Sequence, residues 1–333
     1  MNPRHLRAKI SGVGCYVPPD TLTNEDLEQI VSTSRDWIVS RTGIEKRHIA
    51  SNGVATSDLA TEAARDLLEN CNVDAEDIEA IVVCTVTPDM LFPATACLVQ
   101  DRLGAKRAWG FDLVAACSGL LYGLTTASQL VVSGSHRRVL VIGADTMSRI
   151  VDYEDRATCI LFGDGAGAFL VEPATDGEGG LIDFLNEVDG SGGKHLSMPA
   201  GGSAMPATRK TVDERLHYVH QDGRQVYRYA VNKMYELCKT VLERNGYTAD
   251  DVDLLIPHQA NRRIITAAAH RLGLPLEKAI INIDQYGNTT GGTIPLATRD
   301  AIRAGRLKKG DLVVMATVGA GFTAGAALWR WSF

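Results

Sequence analysis

Short apolar runs alternate with stretches of helical periodicity along most of the chain. Four runs rich in β-branched residues predict strands, at residues 80–86, 138–144, 252–256 and 311–317. Continuous apolar runs of this kind are typical of parallel strands that helices cover on both faces. Apolar residues at helical spacing predict amphipathic helices over residues 57–70 and 227–245. The pattern therefore predicts an α/β fold.

Part of this pattern occurs twice. Residues 67–82 align with residues 241–256 at an offset of 174, and in both segments a helix end and an acidic pair precede a buried strand. Residues 138–144 align with residues 311–317 at an offset of 173. Two segments of different type that agree within one residue indicate an internal duplication.

The length of 333 residues suits two domains or one duplicated unit better than a single ordinary domain. The duplication predicts an N-terminal half, residues 1–175, and a C-terminal half, residues 176–333. Residues 186–224 are rich in Gly, Ser, Pro and His and fit no periodic element. We expect them to form an excursion from the second half.

Composition narrows the class of protein. A hydrophobic fraction of 45% and a charged fraction of 22% are those of a soluble globular protein. The net charge of −6 gives no support to nucleic-acid binding, which favours a basic surplus. No apolar run is long enough to span a membrane, and the first 14 residues lack the apolar centre of a secretory signal. We therefore expect a protein with no membrane or nucleic-acid partner.

The seven cysteines are odd in number and contain no CxxC pair, which argues against a zinc site and a disulfide framework and favours a reducing cytoplasm. Cys71 is expected at a partly exposed helix end. Five others stand in apolar surroundings and are expected to be small core residues, namely Cys15, Cys84, Cys97, Cys159 and Cys238.

Cys117 has a different setting. It follows a short apolar run and precedes about 15 residues that are apolar or small on all sides, which predicts a buried helix. A cysteine at the N-terminus of such a helix meets unpaired N–H groups and the helix dipole, which favour the thiolate. The small residues Ser118 and Gly119 allow another backbone or a substrate to approach. These features favour a nucleophile over one more core cysteine.

The duplication indicates two further candidate side chains for the site. His258 directly follows the strand at 252–256, and the carboxyl ends of such strands are where α/β sheets place ligand sites. Asn288 precedes a predicted helix, within two residues of the position that the repeat pairs with Cys117. A strand-end histidine is often structural and a Gly-Asn pair is usually a turn. The glycine-rich residues 318–325 follow the last strand and can bring a backbone N–H to a reacting carbonyl.

Several segments together resemble one family: ACSGLLYGL, PHQANRRII, YGNTTGGTIPLA, GAGFTAGAAL, DWIVSRTGIEKRHIA and FGDGAGA. They are similar, in order and over nearly the whole chain, to the β-ketoacyl-acyl carrier protein synthase III family of bacterial type II fatty acid synthesis. The resemblance implies a thiolase-like fold, with a duplicated five-layered αβαβα architecture, and a cytoplasmic homodimer.

The resemblance also implies an acyltransferase reaction with no permanently bound cofactor or metal. An acyl-CoA primer, with acetyl-CoA expected, acylates Cys117, and malonyl-acyl carrier protein then condenses with it and loses CO2. The backbone N–H groups of Cys117 and Ala320 form one oxyanion hole, although the family often has Gly in place of Ala320. His258 and Asn288 stabilise the oxyanion that develops on decarboxylation.

Further roles are expected from the resemblance for the coenzyme A and acyl-pocket residues, with ordinary packing as the alternative, and from spacing and charge for a basic stripe, with a solvated helix face as the alternative. Phe92 is expected to close the acyl pocket of the partner subunit. A basic stripe is expected to dock the acidic carrier protein, formed by Arg262, Arg263 and Arg271. Binding of coenzyme A is expected from Trp37, Arg41, Arg156, Asn261 and Tyr227.

Single residues distinguish this chain from some related enzyme families. A biosynthetic thiolase needs a second cysteine near the C-terminus, whereas the last cysteine here is Cys238. The elongating condensing enzymes use two histidines, and Asn288 stands in place of the second. Chalcone-synthase-like and hydroxymethylglutaryl-CoA synthase-like enzymes share the Cys-His-Asn set. A specialised condensing enzyme of secondary metabolism and a non-catalytic dimer partner remain alternatives. Residues 162–168, FGDGAGA, lack the Lys-Ser/Thr of a phosphate loop and predict a hairpin turn.

Overall fold

The computed structural model describes residues 7–175 and 177–333. Residues 1–6, at the start of the segment considered as a secretory signal, lie outside the described residues. Residue 176, the first of the predicted second half, also lies outside them. The strands are β1 (Arg7–Tyr16), β2 (Thr21–Thr23), β3 (Lys46–His48), β4 (Ala80–Cys84), β5 (Trp109–Leu113), β6 (Val139–Asp145), β7 (Gly165–Ala174), β8 (Gly180–Val188), β9 (Leu196–Ser197), β10 (His220–Gln221), β11 (Leu254–Pro257), β12 (Leu312–Gly319) and β13 (Thr323–Arg330). The helices are α1 (Asn24–Glu28), α2 (Arg35–Thr42), α3 (Thr56–Cys71), α4 (Thr95–Leu103), α5 (Gly119–Val132), α6 (Arg156–Cys159), α7 (Arg209–Asp213), α8 (Gly223–Arg244), α9 (Arg262–Leu272), α10 (Ile283–Tyr286) and α11 (Thr293–Arg303).

Two large sheets have matching strand orders. The first has the order β1-β7-β6-β4-β5, and the second, written in the same sense, has the order β8-β13-β12-β11. Strands β6, β4 and β5 of the first sheet and strands β12 and β11 of the second are parallel, whereas the strands toward β1 or β8 are antiparallel. The counterpart of β5 is reduced to a single bridge between Leu255 and Ala279. The repeat in the sequence is therefore a repeat of sheet topology.

Helices and sheets form five layers. Alternate residues of β4 point to opposite faces, because side chains alternate along a strand. Val82 packs with helix α5, whereas Ile81 and Val83 pack with helix α3. Helices α5 and α11 lie between the two sheets, and helices α8 and α9 cover the outer face of the second sheet. This is the αβαβα order that the resemblance predicts, and the fold class is confirmed.

The two halves use the same turn before their central helices. A single 3-10 turn, Ala116–Ser118, leads into α5, and the turn Thr290–Gly292 leads into α11. The first residue of each turn has φ of 49°. A Cβ built on Gly143 would lie 2.3 Å from the carbonyl oxygen of Gly291. Backbone from the two halves therefore touches beside these turns, and only glycine fits there.

The predicted strands and the two long helices are confirmed to within a few residues. The interpretation of residues 162–168 as a hairpin turn is wrong, because this segment enters β7 from helix α6. Asp164 within it is buried, and its carboxylate accepts hydrogen bonds from the backbone N–H groups of Ala50 (2.7 Å) and Ser148 (2.8 Å). The glycines around Asp164 therefore serve close packing. The irregular segment begins only after β8 and contains the short elements β9, α7 and β10.

Cysteine placement follows the prediction with one exception. Cys15, Cys84, Cys159 and Cys238 are buried, and Cys71 is half-buried at the end of helix α3. Cys97 is exposed, so its expected core position is wrong. Helix α4 packs on the sheet through the other side of the helix, where Ala96 and Val99 are buried.

Within residues 7–175 and 177–333, no helix combines the length and the apolar character that crossing a membrane requires.

Candidate active site

Cys117 lies between strand β5 and the buried helix α5. It is the middle residue of the Ala116–Ser118 turn, and its carbonyl oxygen accepts a hydrogen bond from the Thr317 hydroxyl at 2.9 Å. The left-handed φ of Ala116 is unfavourable for a residue with a Cβ, so the surrounding packing must hold this turn. The turn leaves Cys117 largely buried and facing a cavity.

Desolvation dominates the state of the Cys117 thiol. Burial and, to a smaller extent, the nearby carboxylate of Asp145 raise the pKa of Cys117 to about 12. Asp145 is itself buried and accepts hydrogen bonds from the hydroxyls of Thr85 (3.0 Å) and Thr87 (2.9 Å). Burial beside Asp145 therefore opposes the thiolate that the position at the helix end favours.

His258 follows β11 directly, as the sequence predicts. Its backbone N–H donates to the carbonyl of Ala316 at 2.8 Å, which fixes the residue at the end of the second sheet. Its Nδ1 lies 2.7 Å from the Thr293 hydroxyl, and its Nε2 is buried with no hydrogen-bond partner among the described residues. Burial lowers the pKa of His258 to about 3. The ring is therefore neutral over the physiological range.

Asn288 is held by backbone hydrogen bonds to the other half. Its N–H donates to the carbonyl of Leu161 at 2.9 Å, and its carbonyl accepts from the N–H of Gly163 at 3.1 Å. Its side-chain Oδ1 accepts a hydrogen bond from the Thr290 backbone N–H at 2.9 Å. Because a backbone N–H can only donate, this contact identifies the oxygen of the amide and leaves Nδ2 as the free donor.

A cavity of about 490 Å³ brings the three side chains together. Cys117, His258 and Asn288 all line it, and all three are buried. Toward solvent the same cavity is lined by exposed residues that include Arg41 and Arg263. The cavity therefore joins a buried, neutral end to a basic opening.

The opening contains most of the residues expected to bind coenzyme A. Trp37, Arg41, Asn261 and Tyr227 line the cavity. The guanidinium carbon of Arg156 lies 4.7 Å from the centre of the Trp37 ring, although Arg156 does not line the cavity itself. An indole with an arginine against it is a suitable surface for an aromatic base and a phosphate.

Asn261 is largely engaged in structural contacts. Its Oδ1 accepts a hydrogen bond from the backbone N–H of Arg263 at 2.8 Å and thereby caps helix α9. Its Nδ2 donates to the carbonyl of Arg41 at 3.0 Å. Asn261 therefore joins α9 to the end of α2, on which Trp37 and Arg41 stand.

The three arginines expected to form a basic stripe on helix α9 do not share one face of the helix. Arg262 and Arg271 are nine residues apart, which is half a turn out of register at 3.6 residues per turn. Arg262 packs against Gly43, Arg263 lies over the ring of Tyr227 at 5.4 Å, and Arg271 lies over the ring of Tyr235 at 4.5 Å. The three side chains therefore occupy separate places, and only Arg263 lines the cavity.

The loop that contains Ala320 lies against the Ala116–Ser118 turn. A Cβ built on Gly319 would meet the backbone nitrogen of Cys117 at 2.8 Å. The Thr323 hydroxyl lies 2.9 Å from the carbonyl of Ala115 and 3.0 Å from that of Ala320. These contacts hold the loop beside Cys117, and only a residue without a side chain fits at position 319.

Phe92 does not line the cavity of its own chain. It is 83% exposed, and its neighbour Leu91 is 84% exposed. Such exposure of two large apolar side chains in sequence is typical of surfaces that bind another molecule.

Two residues of the site have no signal in the sequence. Arg224 lines the cavity from the first turn of helix α8, before the periodic pattern begins. Thr293 contacts His258 across 35 positions in sequence. It stands among several threonines of the YGNTTGGT segment, and nothing in the spacing distinguishes it from the others.

Comparison with known proteins points to one family. A family model described as 3-oxoacyl-[acyl-carrier-protein (ACP)] synthase III matches residues 111–190, and the model of the C-terminal part of the same synthase matches residues 242–331. The first match contains Cys117 and the second contains His258, Asn288 and Ala320. Both halves of the site therefore fall within matched segments.

Curated relatives and solved structures agree over the full length. The chain is 64% identical to beta-ketoacyl-[acyl-carrier-protein] synthase III of Solibacter usitatus (98% of this chain, 99% of the relative) and 57% identical to that of Koribacter versatilis (98% of each). The crystal structure of 3-oxoacyl-[acyl-carrier-protein] synthase III from Aquifex aeolicus superposes with a TM-score of 0.90 at 43% identity, covering 97% of this chain and 100% of that one.

Proposed function

This chain belongs to the 3-oxoacyl-[acyl-carrier-protein] synthase III family of acyltransferases, and on that premise we propose how its residues perform the condensation of an acyl-CoA primer with malonyl-acyl carrier protein. The products are 3-oxoacyl-acyl carrier protein, CO2 and CoA. One observation carries the proposal: a single cavity joins the buried Cys117, His258 and Asn288 to a basic opening.

In the first half-reaction Cys117 takes the acyl group from coenzyme A. Its sulfur attacks the thioester carbonyl, and the thiol proton leaves with the sulfur of coenzyme A, so no net proton is released. The backbone N–H groups of Cys117 and Ala320 donate to the oxygen of the tetrahedral intermediate. The packing of Gly319 against the Cys117 nitrogen supports this pairing. Because only the N–H of Ala320 takes part, its methyl group does not interfere.

In the second half-reaction a malonyl thioester occupies the emptied cavity and loses CO2. The Nε2–H of His258 and the Nδ2–H of Asn288 donate to the thioester oxygen as it becomes an enolate, each with an expected contribution of about 3 kcal/mol. The enolate carbon then attacks the acyl carbonyl on Cys117, and the Cys117 sulfur leaves as a thiolate that takes up one proton from water to restore the thiol. A neutral buried end favours this step, because expulsion of a carboxylate as CO2 is easier where charge is poorly solvated.

The opening serves recognition of the two carriers. Trp37 stacks on the adenine of coenzyme A, with Arg156 behind it and Arg41 near the phosphates, while Tyr227 and Asn261 shape the passage. The acidic acyl carrier protein docks around helix α9. Arg263 lies nearest the cavity, and Arg262 and Arg271 contact the carrier protein on either side of it.

The active form is a homodimer. Strand β5 is an edge strand whose Trp109 is 49% exposed, and Leu91 and Phe92 are exposed as well. Edge strands with apolar surroundings pair readily with a second copy. In this arrangement Phe92 closes the acyl pocket of the partner subunit. Sedimentation of Phe92→Asp should give a smaller species than the unaltered protein.

Four broader assignments accompany this mechanism. Free thiols and an acyl-CoA substrate support a cytoplasmic location. Each step uses side chains or backbone of this chain, so we propose no permanently bound cofactor. Matching sheets drawn from residues 7–174 and 180–330 support a division into halves near residue 175. Primary fatty acid synthesis is the pathway.

Acylation measured by intact mass tests this function. Incubation with acetyl-CoA should add one acetyl group to the protein, Cys117→Ala should abolish the addition, and Cys97→Ala should not change it, because Cys97 is exposed and does not line the cavity. A wild-type protein that never acquires the acyl group would favour the non-catalytic dimer partner. Acylation that persists in Cys117→Ala would remove Cys117 as the nucleophile.

A further inference from the structure

The Thr293 hydroxyl lies between two possible partners. It is 2.7 Å from Nδ1 of His258 and 2.9 Å from the carbonyl oxygen of Thr290. A hydroxyl has one hydrogen and can donate to only one of them. The direction of this hydrogen therefore determines whether Nδ1 of His258 acts as acceptor or as donor.

The two contacts are not equivalent. The Thr290 carbonyl already accepts a hydrogen bond from the backbone N–H of Thr293, so it stays paired whichever way the hydroxyl points. Nδ1 of His258 has no such second partner among the described residues, and both side chains are buried. A separation of 2.7 Å is typical of a hydroxyl donor and short for a ring N–H donor. Both considerations favour donation from Thr293 to Nδ1.

We propose that Thr293 is a positioning residue that holds neutral His258 as the tautomer with its proton on Nε2. The Nε2–H then has no hydrogen-bond partner within residues 7–175 and 177–333 and is available as a donor in the cavity. The opposite tautomer would present a lone pair to the enolate oxygen and repel it. The catalytic consequence rests on the proposed role of His258 in decarboxylation, whereas the tautomer itself can be measured without any reaction.

The measurement is 15N NMR of histidine-labelled protein, with the His258 signals assigned by their loss in His258→Gln. The wild type should show a protonated Nε2 and an unprotonated Nδ1. Thr293→Val keeps the side-chain volume but removes the hydroxyl, and it should lose this preference. Thr293→Ser should restore it. A wild-type spectrum with the proton on Nδ1 would overturn the proposal whatever the activity.

Kinetics separate positioning from a loss of packing. Thr293→Val should slow malonyl decarboxylation roughly 10-fold or more, with KM little changed, and should leave acylation of Cys117 within about 3-fold. Thr293→Ser should recover most of the decarboxylation rate. Equal losses in both half-reactions, or no recovery with Ser, would show that Thr293 only fills space. If the tautomer shifts in Thr293→Val while decarboxylation is unchanged, the proposed role of His258 is wrong and the tautomer assignment stands.

Discussion

The backbone N–H of Thr290 donates to Oδ1 of Asn288 at 2.9 Å, and this one contact sets which end of the Asn288 amide faces the cavity. The same short segment contains Thr293, whose hydroxyl contacts His258. Both donors proposed for the second half-reaction are thus oriented from the beginning of helix α11. Nucleophile and donors are held by equivalent turns of the two halves.

Asn288→Asp tests the orientation of the amide. The new carboxylate keeps an oxygen for the Thr290 N–H but presents a second, charged oxygen where Nδ2 was. We expect malonyl decarboxylation to fall at least as far as in Asn288→Ala, roughly 10²- to 10³-fold, while both variants still acylate Cys117. Radiolabelled CO2 release and intact mass measure the two steps. Decarboxylation near the wild-type rate in Asn288→Asp would exclude a donor role.

Trp37→Ala tests recognition of the coenzyme. Without the indole, adenine loses its stacking surface and Arg156 loses its aromatic neighbour, so KM for acetyl-CoA should rise about tenfold with kcat little changed. KM for malonyl-acyl carrier protein should stay within about twofold, because that substrate carries no adenine. Equal rises in both KM values would indicate a general distortion of the opening.

The buried His258 makes stability depend on pH in a defined direction. Burial lowers its pKa to about 3, below the value of 6.5 in the unfolded chain, so between these values the unfolded chain binds the extra proton. The contribution of His258 is complete above pH 6.5 and falls as the pH drops, by at most about 1.4 kcal/mol per pH unit. Urea unfolding from pH 7 to pH 5 should show a shallower pH slope in His258→Asn. An unchanged slope would mean that the pKa of the ring in the folded protein equals its value in the unfolded chain.

Gly143→Ala tests the backbone contact between the two halves. The added methyl group would lie 2.3 Å from the Gly291 carbonyl oxygen, so β6 and the turn before α11 must separate. We expect a loss of about 1–3 kcal/mol in the free energy of unfolding and a fall in both half-reactions. Gly202→Ala, where a methyl group would meet nothing within 4 Å, should change neither. Wild-type activity in Gly143→Ala would show that the contact is not needed for alignment.

The fold was accessible from the sequence because its signals are local. Buried strands such as β4 and β6 appear as continuous apolar runs, and the helix behind Cys117 is apolar on all sides. The repeat then placed His258 and Asn288 at corresponding strand and helix ends. Residue types and spacing were sufficient for these assignments.

The remaining details depend on contacts between distant segments. Nothing in the spacing of Thr293 indicates a contact with His258, and the sequence does not show that Arg263 and Arg271 lie over the rings of Tyr227 and Tyr235. The balance at the Cys117 thiol also depends on such contacts. Position on a helix favours the thiolate, but burial beside Asp145 opposes it, and burial is a property of the assembled core.

The matching turns at Ala116 and Thr290 bear on how such a site arises. An offset of 174 pairs Cys117 with Gly291, where a side chain would be pressed to 3.1 Å from the Cα of Gly143. In the first half this position has space for the Cys117 side chain. In the second half the equivalent space is filled by the backbone contact between Gly291 and Gly143. Under the proposed mechanism, asymmetry of this kind gives each chain one acylation site. It also means that divergence after duplication needed new side chains on an inherited backbone, with no new fold.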